Sequence, residues 1–176
     1  MKAIVAVDSN WGIGYRGNLL QRIPADMKFF KQMTLGKVVV MGRETFESFP
    51  GQEPLKDRIN IVLSKTFVKE QVTVCHSLDE LFAELKQYSG EDVFVIGGES
   101  VFSQLLPYCT EAFVTKIMHS YIADKHFRNL DKEAIWRLIS ESDLQTYKDI
   151  QFKFTRYVNG KVGIYNSIDN FAQFKR

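Results

Sequence analysis

Short runs of consecutive apolar residues recur along the chain, each closed by a glycine or a polar turn, and they alternate with stretches of helical spacing. Lys2–Asp8 is a run of small and branched apolar residues and reads as a buried strand. Lys37–Gly42, with its V-V-V-M run, and Asp92–Ile96 (D-V-F-V-I) lack polar alternation, the pattern of parallel strands covered on both faces. Arg58–Ser64, Val72–Cys75 and Ala112–Ile117 predict three more strands. Between them, Pro24 suits the first turn of a helix, and from Asp26 the residues Phe29, Phe30 and Met33 fall on one face. Gly36 is placed as the stop of that helix. Glu44–Phe49 begins a second helix, ended by Pro50. Ser77 and Glu80 form a capping box that opens a third, through about Tyr88, and Glu99–Leu106 reads as a fourth, stopped by Pro107.

Strands alternating with short helices imply parallel pairing through right-handed crossovers. Glu141–Thr146 and Asp149–Val158 read as a β-rich end, and the alternation Q-F-K-F-T-R-Y-V suits an edge or antiparallel strand. The prediction is one α/β domain over residues 1–158, with a mixed, mostly parallel central sheet, an antiparallel C-terminal strand and flanking helices. The remainder, 159–176, is a C-terminal extension in which Ile168, Phe171, Ala172 and Lys175 share a helical face behind Ser167, although a loosely ordered appendage fits as well. Ser9–Ile23 has neither period. Its glycines Gly12, Gly14 and Gly17 surround Trp11, Ile13 and Tyr15, and a loop of that length inside a compact domain is either a mobile lid or plain surface.

Composition changes this picture little. With 176 residues, 45% hydrophobic and 25% charged, the chain is an ordinary globular protein. A net charge of +2 is too slight to argue for a nucleic-acid surface, and no apolar run is long enough to span a bilayer. The N-terminus has too short an apolar region for a secretory signal, so a cytoplasmic location is expected. Cys75 and Cys109 lack the spacing of a redox or zinc site and form no ligand set with His76, His119 or His126; no metal is expected.

Candidate chemistry gathers at strand ends. V-V-V-M-G-R-E-T and V-I-G-G-E-S each run strand, glycine, helix start, while I-V-L-S-K puts Ser64 and Lys65 just past a third strand. Free N–H groups, close backbone approach at glycine and added cations suit phosphate. Each turn alone is ordinary; together they suggest a phosphorylated ligand, and a dinucleotide spans such a set naturally. The glycine fingerprint of the Rossmann fold is absent after the first strand. Asp26, an acid at the rim of an apolar face, is either a helix-start residue satisfied by backbone N–H groups or a group that reads a ligand.

The ordered motifs V-A-V-D, G-I-G, I-P-A-D-x-x-x-F, M-G-R-x-T-F-E-S, V-x-V-I-G-G and A-D-K-H-F resemble dihydrofolate reductase of the bacterial chromosomal type, over roughly residues 2–158. The resemblance implies reduction of 7,8-dihydrofolate by NADPH within one-carbon metabolism, with antifolate inhibitors as further small-molecule partners and a monomer as the working unit. It implies that Asp26 is the active-site carboxylate, pairing with the amino-pyrimidine edge of the pterin. Val5, Ala6, Met27, Phe30, Phe49, Leu55 and Ile96 would line the substrate site, Thr115 would bond Asp26 and the pterin amino group, and Arg58 would clamp the glutamate α-carboxylate. For NADPH it implies Gly42, Arg43, Thr45, Ser64, Lys65, Gly97, Gly98, Glu99, Ser100 and Val101 at the phosphates, with Arg43, Ser64 and Lys65 selecting the 2′-phosphate. Ala6, Ile13, Gly14, Ile96 and Phe102 would border the nicotinamide. Gly97–Gly98 corresponds to a peptide the family holds cis, and Asp124 would face the lid. The Asp26 carboxyl should feel burial upward and the helix N-terminus downward.

Three positions depart from the family pattern. Gln21 stands where a Trp is usual, Leu20 replaces a Pro, and Glu44 sits beside Arg43 where relatives place a base or a neutral residue. A pyrimidine reductase of riboflavin synthesis shares the fold and cofactor, but Asp26, the Phe29–Phe30 face and Arg58 favour folate. A relative that binds folate and NADPH without catalysis is the other reading, motivated by Gln21.

Overall fold

The structure, a computed structural model, describes residues 1–161. Its centre is a sheet in the order β10 (Trp136–Glu141), β12 (Ile150–Asn159), β8 (Glu111–Ile117), β1 (Lys2–Val7), β7 (Val93–Gly97), β4 (Val38–Gly42), β5 (Ile59–Leu63) and β6 (Thr73–Cys75), with β11 (Gln145–Tyr147) paired to β12. The parallel part comprises β1 (Lys2–Val7), β4 (Val38–Gly42), β5 (Ile59–Leu63), β6 (Thr73–Cys75), β7 (Val93–Gly97) and β8 (Glu111–Ile117). The connecting helices are α1 (Pro24–Thr34), α2 (Arg43–Glu47), α3 (Leu78–Leu85) and α4 (Glu99–Leu105). The fold is therefore the mixed α/β sheet that the alternation of runs predicts.

The continuous apolar strands lie where their pattern requires. Val39, Val40 and Met41 are fully buried because β4 has strands on both sides and side chains packed on both faces. One face carries Ala3, Val7, Val40, Ile61 and Val95 with α3 and α4 over them. The other carries Val39, Met41, Phe46 and Val62. Burying each such side chain stabilises the fold by roughly 1.5–3 kcal/mol relative to exposure. Ser77 accepts the Glu80 N–H at 3.1 Å, while the Glu80 carboxylate takes the His76 N–H at 2.7 Å, so the capping box is present with its return bond displaced by one residue.

Two expectations change. The antiparallel part is three strands: β10 (Trp136–Glu141), β11 (Gln145–Tyr147) and β12 (Ile150–Asn159). In the expected β-rich end, Glu141–Thr146 is divided between β10 and β11 by the irregular residues 142–144, and β12 is an interior strand between β8 and β10. The Ser9–Ile23 loop is not structureless either. Its β2 (Gly12–Tyr15) pairs with β3 (Asn18–Leu19) and with β9 (Lys125–His126), making a small second sheet whose strands are too short to show a period. The helical face proposed for Ile168, Phe171, Ala172 and Lys175 lies outside the described residues.

Candidate active site

The parallel strands β1, β7, β4, β5 and β6 end on one side of the sheet, and a cleft of about 1000 Å³ runs across those ends. Asp26 stands on its wall, in the first turn of α1. It does not cap that helix: the N-cap is Ile23, and no side chain bonds the free N–H groups there. The carboxylate instead accepts a hydrogen bond from the Thr115 hydroxyl at 2.6 Å. Thr115 is nearly inaccessible and lies level with Ala6 in the pairing of β1 and β8. Burial pushes the Asp26 carboxyl above the ordinary carboxylate value, and the Thr115 bond draws it part of the way back. The opposing influence is thus a hydroxyl from the sheet, where the helix N-terminus had been expected.

Around the acid, Val5, Ala6, Met27, Phe30, Phe49, Leu55 and Ile96 line the cleft. These apolar side chains leave a slot whose one anionic feature near α1 is Asp26, among the described residues. Phe29 turns away and packs on Phe154 and Phe113. Two expected substrate residues do not line the cleft. Thr115 is behind Asp26, on a central strand that the helix covers. Arg58 opens on a separate shallow groove that shares Leu55 with the cleft. Its guanidinium donates to the Lys56 carbonyl at 2.6 Å, the Thr34 hydroxyl at 3.3 Å and the Lys31 carbonyl at 3.4 Å, which ties it to the C-terminal end of α1.

The remainder of the cleft is polar and follows the strand ends outward. Gly42 ends β4, with Arg43 and Thr45 beyond it; Gly97 ends β7, with Gly98 to Phe102 beyond it; Ser64 and Lys65 follow β5, and Ile13 and Gly14 come from the Ser9–Ile23 loop. The Gly97–Gly98 peptide is cis. A Cβ on Gly98 would stand 3.2 Å from the Thr45 hydroxyl, and one on Gly42 would stand 3.1 Å from Val101, so a side chain at either position presses on its neighbour, while Gly97 is held at φ 131°, a conformation that favours glycine. Residues that sequence reasoning missed are His76 and Ser77 past β6, Leu19 and Leu20 in the lid, and Lys125. His76 Nδ1 lies 2.9 Å from the Ser64 carbonyl. His76 and Ser77 reach the cleft only through strand order, whereas Lys125 stands inside the A-D-K-H-F motif and Leu20 at a departure from the family pattern, signals that could have pointed to them.

The Ser9–Ile23 loop is fastened at both ends. The Asp8 carboxylate accepts the N–H groups of Asn10, Gly12 and Tyr121, each at 2.8 Å. Asp124 accepts the Arg16 N–H at 3.0 Å and donates its own N–H to the Gly14 carbonyl at 3.0 Å. Trp11, held at φ 63°, stacks on Phe127 with Lys116 5.2 Å from its ring. Gln21 accepts from the Tyr121 hydroxyl at 3.3 Å and donates to the Arg22 carbonyl at 3.2 Å, small polar contacts in place of a broad apolar surface. Cys75 and Cys109 are buried free thiols, pushed by burial up to about 11 and about 12, far from the pH at which a thiolate forms.

A lone carboxylate facing an apolar slot, continuous with a glycine-turned, cation-bearing channel over the ends of parallel strands, defines a class: reductases that set a flat heterocycle against a phosphorylated dinucleotide. The family model described as dihydrofolate reductase matches residues 1–159. The chain is 39% identical over 140 residues to dihydrofolate reductase of Bacillus subtilis (strain 168), covering 78% of this chain and 80% of that protein. It is 38% identical over 181 residues to dihydrofolate reductase of Sus scrofa, covering 89% and 96%. Among solved structures, dihydrofolate reductase from Enterococcus faecalis complexed with NADP(H) and RAB-propyl superposes with a TM-score of 0.80 at 32% identity, covering 90% of this chain and 95% of that one. The chain belongs to the dihydrofolate reductase family. It is accordingly an NADPH-dependent oxidoreductase that reduces dihydrofolate to tetrahydrofolate.

Proposed function

We propose that Asp26 is the residue on which the reaction turns, holding the amino-pyrimidine edge of dihydrofolate in the apolar slot. The observation that carries this is the Asp26–Thr115 pair: a carboxylate withdrawn from water, uncommitted to any helix cap, with one oxygen fixed by a hydroxyl. A planar carboxylate matches two parallel donors, and the fixed oxygen sets the plane. Val5, Ala6, Phe30 and Phe49 exclude water from the faces of the ring. Arg58 sits beyond Leu55 and takes the α-carboxylate of the substrate tail; its three present contacts leave further N–H donors on a guanidinium that has five.

The residues beyond Ile96 fit NADPH. The glycine junction at Gly42, Gly97 and Gly98 leaves room for backbone to meet phosphate, and Arg43, Thr45, Ser64 and Lys65 supply the charge and hydroxyls. NADPH, when bound, supplies a hydride from nicotinamide C4 to pterin C6. Asp26 keeps the pterin in the tautomer that accepts a proton at N5, and the lid admits the water that delivers it. Arg43, Ser64 and Lys65 select the 2′-phosphate, although Arg43 already reaches the Glu47 carboxylate at 2.6 Å. The domain is residues 1–158, acting as a cytoplasmic monomer on small molecules, antifolates included; the free buried thiols are consistent with a reducing compartment. A spectrophotometric NADPH–dihydrofolate assay tests the assignment. Wild type turns over and Asp26→Asn loses most of its rate; full activity in Asp26→Asn overturns the role, and binding of both ligands without NADPH oxidation favours a non-catalytic relative.

A further inference from the structure

Lys125 and Glu44 come from separate elements that line the cleft and meet there as an ion pair. Lys125 is in β9, whose pairing with β2 places it beside Gly14 of the lid. Glu44 is the second residue of α2, next to Arg43. Their Nζ and Oε2 atoms are 3.7 Å apart, and both residues line the cleft. The Glu44 side chain is 68% exposed and that of Lys125 46%, so the pair is a loose surface contact that another anion can replace. The charged groups around Lys125 are Glu44 and, more remotely, Arg43, whose guanidinium is 3.9 Å from the other Glu44 oxygen. Asp124 is turned to the Arg16 N–H, and Glu99 accepts the His126 N–H at 3.1 Å.

Strand order says which part of a dinucleotide passes this point. From β1 with Ala6, the strand ends run through β7 with Gly97–Gly98 and β4 with Gly42–Arg43 to β5 with Ser64–Lys65 and β6 with His76. A nicotinamide bordered by Ala6, Ile13 and Phe102 lies at one end of that line and a 2′-phosphate at Ser64 and Lys65 at the other. The pyrophosphate falls between, over β7 and β4, where Glu44 and Lys125 face one another. We propose that Lys125 is a ligand for the cofactor pyrophosphate, and that Glu44 holds the lysine across the channel until the phosphates replace the carboxylate. Because Lys125 shares a backbone pairing with Gly14, its capture by phosphate also steadies the lid. The inference rests on the NADPH-binding reading of the cleft given above.

The test is equilibrium binding to the full chain, followed by quenching of Trp11 and Trp136 fluorescence, with NADPH and with NADH. NADH keeps the pyrophosphate and lacks the 2′-phosphate. Lys125→Gln is expected to weaken both cofactors by the same factor, about tenfold, as for the loss of one hydrogen bond to a charged group. Glu44→Gln is expected to tighten both about threefold, and that gain should vanish in the Lys125→Gln background, which separates release of Lys125 from release of Arg43. Unchanged affinities in Lys125→Gln, or a loss confined to NADPH, overturn the proposal. Dihydrofolate binding by each variant reports that the fold is intact. Failure of wild type to bind either cofactor overturns the reading of the cleft itself, and the proposal with it.

Discussion

Replacing Thr115 with valine removes one hydroxyl and keeps the branched shape on β8. The hydroxyl donates at 2.6 Å to a carboxylate, and Thr115 is 2% exposed, so water has no ready route to take its place. A hydrogen bond to a charged group contributes about 1.5–3 kcal/mol. Because the hydroxyl donates to the ionised carboxylate, its loss raises the Asp26 pKa. Burial already holds that pKa above the ordinary 3.8, and the variant goes further in the same direction. The acid limb of kcat/KM for dihydrofolate should move to higher pH, and carboxyl NMR of the ligand-free protein should show an Asp26 midpoint displaced in the same direction. An Asp26 midpoint that stays at the wild-type value in Thr115→Val would refute the claim that this hydroxyl tunes the acid.

Asp26→Asn should raise the stability of the ligand-free protein at neutral pH. With its folded pKa above the unfolded one, Asp26 favours the folded state most below 3.8 and costs stability as pH rises through the folded pKa, so the mutant's advantage in thermal midpoint should grow with pH and disappear in acid. Gln21→Trp should lower the KM for dihydrofolate at least about twofold by adding apolar area over the cleft. Tyr121→Phe, which removes only the 3.3 Å contact to Gln21, should leave the KM for dihydrofolate within about twofold of wild type; a fall in KM matching that of Gln21→Trp would show that area is not what Gln21 lacks. Lys65→Gln should reduce kcat/KM for NADPH by about tenfold and leave NADH within about twofold, and an equal loss for both would remove Lys65 from 2′-phosphate selection.

The catalytic neighbourhood combines what is legible locally with what is not. The I-P-A-D segment shows a helix start with an acid on its apolar face, because helical period and proline chemistry are properties of adjacent residues. It does not show what the acid bonds. Thr115 lies 89 residues away along the chain, and only the pairing of β1 with β8 brings it under α1. The same holds for Arg58. Its residue type suits carboxylate recognition, but Lys31, Thr34 and Lys56 set its place outside the main cleft.

The sequence by itself determined the alternation of strands and helices, the buried parallel core, the glycine junctions and the family, since apolar runs, helical period and ordered motifs are written in neighbouring residues. Tertiary structure decided the order of the strands, the antiparallel set around β12, the small sheet that organises the lid, and the meeting of Lys125 with Glu44. Those features depend on hydrogen-bond register between distant segments. Strands as short as β3 and β9 hold too few residues to display a period, and their pairing exists only because the larger sheet has already brought them together.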